Sequence, residues 1–257
     1  MIFVVAGTQD GREIAKMLLE KGYDVAASVV SRYGGELLAH ACGQKCLIND
    51  KPLDEAALQA YMQEHDISLL VDASHPYAAN VSANAIKACA ALDIPYIRYE
   101  RDLAELTYDK IAVVHSYEEA AQAAANLGRK IFLTTGSRNL EKFVQSPALQ
   151  ECELTARVLP TAEVIDLCEK AGLDAGHIVA LQGPFSKALN VELFRKYEAE
   201  VIITKNSGTI GGTDTKFAAA AELGLPIVLI NRPKLAYPRL THTYAEILDF
   251  AQECYRK

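Results

Sequence analysis

The chain predicts an α/β fold in which two parallel sheets, each covered by helices on both faces, follow one another. Three observations carry that expectation. Short apolar runs alternate with longer segments of helical period along the 257 residues. Those runs end in turns rich in Gly, Ser and Thr, which is where parallel strands present their carboxyl ends to ligands. The pattern also begins again after Glu100-Arg101-Asp102, placing a domain boundary near Leu106 and dividing the chain into residues 1–105 and 106–257. Two such sheets in succession imply a ligand held in the cleft between domains.

The chain opens with strand Ile2–Ala6, the turn Gly7-Thr8-Gln9-Asp10-Gly11-Arg12 and a helix over Glu13–Lys21 that Gly22 stops. Asp24–Val30 reads as the second strand, completing the first βαβ half of a nucleotide-binding, Rossmann-like fold. Gly7 and Gly11 let backbone approach a phosphate closely. Thr8 and Gln9 stand where G-x-G-x-x-G has its second glycine, so the motif is weak by itself. The Thr8 hydroxyl can replace an N–H contact. Beyond the second strand, Val29-Val30-Ser31-Arg32 carries no carboxylate before Glu36. NAD enzymes place an acid there for the ribose, and NADP enzymes a cation for the 2′-phosphate. Arg32 offers a planar fork and Ser31 a hydroxyl, so NADPH is favoured over NADH.

Gln44–Ile48 follows as a short strand and Leu53–His65 as an amphipathic helix. The apolar run Ile67–Val71 then ends in Asp72-Ala73-Ser74-His75-Pro76-Tyr77, before an Ala-rich helix and strand Ile94–Tyr99. So many functional groups at one strand end exceed what a connecting turn needs. Asp72 and Ser74 are candidate cofactor contacts together with Gly7, Thr8, Gly11, Arg12, Ser31 and Arg32. His75 and Tyr77 are the candidates for donating or relaying a proton. The competing reading is a helix start with Pro76 at its first position and Ser74 or His75 as cap.

In the second half, Ile111–Val114, Lys130–Thr134, Glu151–Leu159, His177–Leu181, Glu200–Thr204 and Pro226–Ile230 read as strands. Tyr117–Leu127, Ala162–Ala171, a segment after Ser186, Asp214–Leu223 and Tyr244–Tyr255 read as helices. The turns bring Ser137, Arg138, Arg157, Ser186, Lys205, Asn206, Ser207, Gly208, Thr213 and Lys216. Cations and hydroxyls concentrated in a chain of net charge −7 point to an anionic, polycarboxylate or phosphorylated ligand. Lys205–Thr213 is the sharpest signal, a Gly-rich nest of donors that lacks P-loop order.

Composition narrows the classes further. Half the residues are hydrophobic, enough for large cores, and no basic stripe suits nucleic acid. The six cysteines are scattered. His40, Cys42 and Cys46 lack a fourth ligand at zinc spacing, so no metal site is expected. Neither a signal-peptide pattern nor a transmembrane-length run occurs, and a soluble, cytoplasmic protein is expected.

Six stretches together resemble one family. They are Gly-Thr-Gln-Asp-Gly-Arg-Glu at 7–13, DASHPYAANVSANA from Asp72, IPYIRYER from Ile94, TTGSRNL from Thr134, QGPFS from Gln182 and TKNSGTIGGTDTKFAAA from Thr204. The pattern is similar to the precorrin-6A reductases of cobalamin biosynthesis, including their cobalt-precorrin-6A relatives. That resemblance implies an enzyme of two Rossmann-like parallel-sheet domains with the site in the cleft between them. It implies NADPH-dependent reduction of one ring double bond of precorrin-6A, or its cobalt form, to precorrin-6B. The N-terminal domain would hold NADPH and the C-terminal domain the tetrapyrrole, whose acetate and propionate groups account for the cationic turns. Two alternatives remain, another NADPH-linked reductase and a non-catalytic carrier of tetrapyrrole or nucleotide. Cobalt in the substrate, oligomeric state and the proton donor stay open.

Overall fold

Four consecutive buried apolar residues form β1 (Ile2–Val5), as expected of a strand covered on both faces. Around it the first half builds α1 (Gln9–Glu20), β2 (Val25–Ser28), α2 (Arg32–Cys42), β3 (Cys46–Asn49), α3 (Glu55–Glu64), β4 (Leu69–Asp72), α4 (Ala79–Leu92) and β5 (Tyr96–Tyr99). The second half builds β6 (Ile111–Val114), α5 (Tyr117–Ala125), β7 (Lys130–Leu133), α6 (Leu140–Val144), β8 (Glu153–Val158) and α7 (Ala162–Ala171). It continues with β9 (Ile178–Ala180), α8 (Lys187–Lys196), β10 (Val201–Lys205), α9 (Thr213–Leu223) and β11 (Ile227–Ile230), and the chain closes with β12 (Leu240–Thr241) and α10 (Tyr244–Tyr255). The computed structural model describes residues 1–30, 32–101, 108–206, 213–232 and 234–255.

The elements form two compact units, one of Met1–Arg101 with Pro233–Lys257, the other of Asp102–Arg232. The boundary expected near Leu106 lies outside the described residues. The last 25 residues were expected in the second domain, but they pack in the first unit. Apolar residues of α10 explain the return, because Ile247 and Ala251 are buried in the same core as Ile14 and Leu18 of α1.

The first sheet has six parallel strands in the order β12-β5-β4-β1-β2-β3. Alternate residues of each strand feed opposite cores. Ile2 and Val4 pack against α1 and α10, whereas Phe3 joins Leu58 and Met62 of α3 and Ala85 of α4. The second sheet is also parallel, in the order β6-β11-β10-β7-β8-β9. Read from β9, it repeats the pattern of the first, with β6 in the place that β12 fills there. Strand order reverses beside β1 and β4 in one unit and beside β7 and β10 in the other. Both points are the topological switches at which open α/β sheets bind ligands.

Candidate functional site

At the first switch, α1 begins four residues earlier than the sequence suggests. Thr8 is its N-cap and accepts from Gly11 N at 3.0 Å. The same hydroxyl donates to Ala73 O at 2.8 Å, tying the β1 turn to the β4 turn. Thr8 is therefore occupied through its side chain, and only its backbone faces a ligand role. Gly11 is required by packing: a Cβ there would lie 2.6 Å from Ala6 Cα. Above Gly7, by contrast, a Cβ would meet nothing within 4 Å. Arg12 follows in the first turn of α1, half-buried. Asp10 is buried, pairs with Arg101 and accepts from Tyr244 Oη at 3.1 Å, which joins α10 to this turn.

Asp72 ends β4 directly beside Arg98 of β5. Neither is more than 1 % exposed, and Arg98 Nη1 meets Asp72 Oδ1 at 2.7 Å. Ser74 N donates to the same oxygen at 3.0 Å. Ser82 Oγ and Tyr96 Oη donate to Asp72 Oδ2 at 2.6 and 2.7 Å, so both carboxylate oxygens are engaged. Arg98 also donates to Ser74 Oγ at 2.8 Å and pairs with Glu100, which accepts from Tyr237 Oη at 3.1 Å. Burial alone would raise the Asp72 pKa, but the Arg98 charge and the hydrogen bonds from Ser82 and Ser74 outweigh it and hold the carboxyl below its ordinary range. Asp72 and Ser74 thus brace the turn from inside.

The capping alternative for this turn does not survive. Helix α4 starts at Ala79 with Ala78 as N-cap and no side-chain cap bond, so Pro76 is not its first residue. His75 is exposed and Tyr77 half-buried, their rings 5.7 Å apart. His75 Nδ1 accepts from Tyr77 N at 3.3 Å. At the end of β2, Arg32 is the first residue of α2, not a loop residue. Its side chain is 89 % exposed and pairs with Glu36 at 3.2 Å. Ser31 lies outside the described residues.

At the second switch the register sets Arg157 of β8, Thr134 after β7 and Thr204 of β10 at one level. Arg157 is buried, bonded through Nη1 to Asn190 Oδ1 at 2.7 Å and stacked 4.0 Å from the Phe185 ring centroid. Burial pushes its pKa down to about 10. Lys205 donates to Thr135 O at 3.0 Å and lies 5.5 Å from the Tyr117 centroid. Burial, then the neighbouring Arg138, push it down to about 8. Lys216 is pushed to about 7 by burial and by Arg157, with Asp214 opposing. Asn206 and Thr213 are buried, Ser137 half-buried and Arg138 exposed. Ser186 is spent as the N-cap of α8, accepting from Leu189 N at 3.2 Å. Ser207 and Gly208 lie outside the described residues. No described helix is long and apolar enough to cross a membrane, and no metal-binding group of His, Cys, Asp or Glu gathers among the described residues.

Sequence reasoning missed Arg98, Tyr96, Ser82, Asp10 and Asn190. A signal existed for Arg98, since a cation inside the apolar strand YIRY must find a buried partner.

A family profile described as "Precorrin-6x reductase CbiJ/CobK" matches residues 1–252. A Priestia megaterium protein named "Cobalt-precorrin-6A reductase" is 40% identical over 249 residues, 96% of each chain. A Salmonella typhimurium protein of the same name is 36% identical, covering 90% of this chain and 87% of its own. A solved structure titled "CobK precorrin-6A reductase" superposes with a TM-score of 0.81 at 25% identity, over 98% of this chain and 96% of that one.

Proposed function

The chain belongs to the precorrin-6x reductase CbiJ/CobK family, and from that premise we propose that it reduces precorrin-6A, in its cobalt form, to the corresponding precorrin-6B. It is an oxidoreductase acting on a carbon–carbon double bond of the macrocycle in cobalamin biosynthesis. NADPH supplies the hydride to one ring carbon, and the neighbouring carbon takes a proton. The observation that carries this reading is the length of the match, which spans both units and both strand-order switches.

The residues of the first unit fit a dinucleotide. Open space over Gly7, the backbone of Thr8, Arg12 and the start of α1 suit a pyrophosphate. Arg32, standing where the second strand hands over to its helix, takes the 2′-phosphate together with Ser31. Gly11, Asp72 and Ser74 act by holding the two turns in place. His75 and Tyr77, on the braced turn, hold or relay the proton. In the second unit Ser137, Arg138, Arg157, Lys205, Asn206, Thr213 and Lys216, together with Ser207 and Gly208, meet peripheral carboxylates, while Ser186 caps α8. Their cationic character supports this assignment, because a desolvated cation gains far more from a carboxylate than an exposed one does.

Anaerobic mixing of the protein with NADPH and cobalt-precorrin-6A tests the proposal. Loss of NADPH absorbance in step with a change in the corrinoid spectrum is expected. Corrinoid binding without NADPH consumption would make the protein a carrier.

A further inference from the structure

We propose that Arg157, Thr204, Thr213 and Lys216 form a receptor for one oxyanion, a phosphate or a carboxylate, on the α8–α9 side of the second sheet. The reductase reading above is needed only for where that anion comes from.

The register fixes the geometry. Leu133 pairs with both Ala156 and Ile203, so Arg157 and Thr204 occupy one level across β8 and β10 and project to the same face. Arg157 meets Asn190 of α8 on that face, and Asn190 Nδ2 reaches Thr215 of α9 at 3.5 Å. Lys216 lies one residue further along α9, close enough to Arg157 for mutual repulsion. Asn190 is itself fixed by donating to Ser186 O at 3.0 Å, and Phe185 covers the guanidinium face. Arg157 is thus oriented by Asn190 and by packing, with no carboxylate acting on it among the described residues.

Two further observations point to a ligand. Thr204 and Thr213 are both 0% exposed, and among the described residues their hydroxyls have no hydrogen-bond partner. Buried hydroxyls are ordinarily bonded, and each can donate to an oxyanion. Thr213 also opens α9, an eleven-residue helix whose first N–H groups carry partial positive charge. Among the described residues the charged groups that act on Lys216 include Arg157 from β8 and Lys205 from β10, which lower its pKa, and Asp214 from its own helix, which raises it. Held near neutrality by burial, Lys216 becomes fully charged once an anion sits beside it, so binding draws in a proton at about pH 7.5.

The test is calorimetric titration of the intact protein with two probes, inorganic pyrophosphate and propane-1,2,3-tricarboxylate, in HEPES and in Tris. The receptor predicts that at least one probe binds, with an enthalpy difference between buffers that reports proton uptake. In Lys216→Met and Arg157→Met that affinity falls on the order of tenfold to hundredfold, while the surface variant Arg195→Ala keeps it. Lys216→Met also keeps or raises the wild-type Tm. A lysine held below its ordinary pKa costs stability at every pH below that ordinary value, and the methionine removes the cost. Pyrophosphate binding that the two methionine variants lose and that NADPH displaces assigns the receptor's anion to cofactor, since binding the variants keep belongs to the first unit's turn. Tricarboxylate binding that NADPH leaves unchanged assigns it to substrate. The receptor is overturned if neither probe binds the wild type, or if both methionine variants bind as it does. No corrinoid and no turnover enter this titration, so its failure stays separate from failure of the reductase reading.

Discussion

Asp72 and Arg98 are buried to within 1 % of full enclosure and bonded at 2.7 Å. A pair so enclosed adds little over an apolar substitute, but breaking it strands one charge. Arg98→Met should therefore destabilise the first unit by about 3–5 kcal/mol, read by denaturant unfolding. The Asp72 carboxyl is held below its ordinary range, so its contribution is fully present above the unfolded-state value near pH 4. It is lost as pH falls through the folded value. Asp72→Asn should flatten the acid limb of the stability profile, and an unchanged limb would show that other carboxylates set it. Arg32 is the opposite kind of residue, 89 % exposed along its side chain and, among the described residues, paired only with Glu36. Its replacement costs the fold little. Arg32→Ala should weaken NADPH binding roughly tenfold to hundredfold, the worth of one charge-assisted hydrogen bond, and leave NADH affinity nearly unchanged. Equal loss for both cofactors would remove Arg32 from 2′-phosphate recognition.

Among the elements, strands buried on both faces were the most legible, because a parallel strand needs a continuous apolar run and little else does. Helices α7 and α10 begin and end where their apolar period begins and ends. No helix was expected over α2, where Gly34 and Gly35 lower the local helical preference, although packing of Leu38 and Cys42 secures it. Strand β12 is two residues long, too short for any period to register. For the site, residue types and turns were legible while partners were not. DASHPY announces a functional turn, but which oxygen Arg98 takes depends on β4 and β5 lying side by side. Likewise Thr8 and Ser186 look like ligand donors in sequence and serve as caps in the fold. The turn itself gives a prediction at this scale. With Asp72, Ser74 and Arg98 bracing it, His75→Gln leaves thermal stability intact. If His75 relays the proton, the rate per folded molecule falls about 100-fold or more. An unchanged rate would assign the proton to Tyr77 or to ordered water.

On the scale of the whole molecule, the same six-strand order occurs twice; the second sheet draws all six strands from one consecutive run, β6 to β11, whereas the first takes its sixth, β12, from the far end of the chain. The first unit is completed only when Pro233–Lys257 returns to it. Each unit then offers one switch point. One is a turn of open backbone beside a braced acid–base pair, and the other is a cluster of desolvated cations. Such a division suits the proposed reaction between a dinucleotide and a polycarboxylate ring. The most direct measurement is mass analysis of the corrinoid product after turnover with NADPH deuterated at the transferred position, and separately with unlabelled NADPH in deuterium oxide. One deuterium in the product from each experiment is expected, the first delivered as hydride and the second as a proton. Product carrying no deuterium from the labelled cofactor would contradict direct hydride transfer from NADPH to the ring.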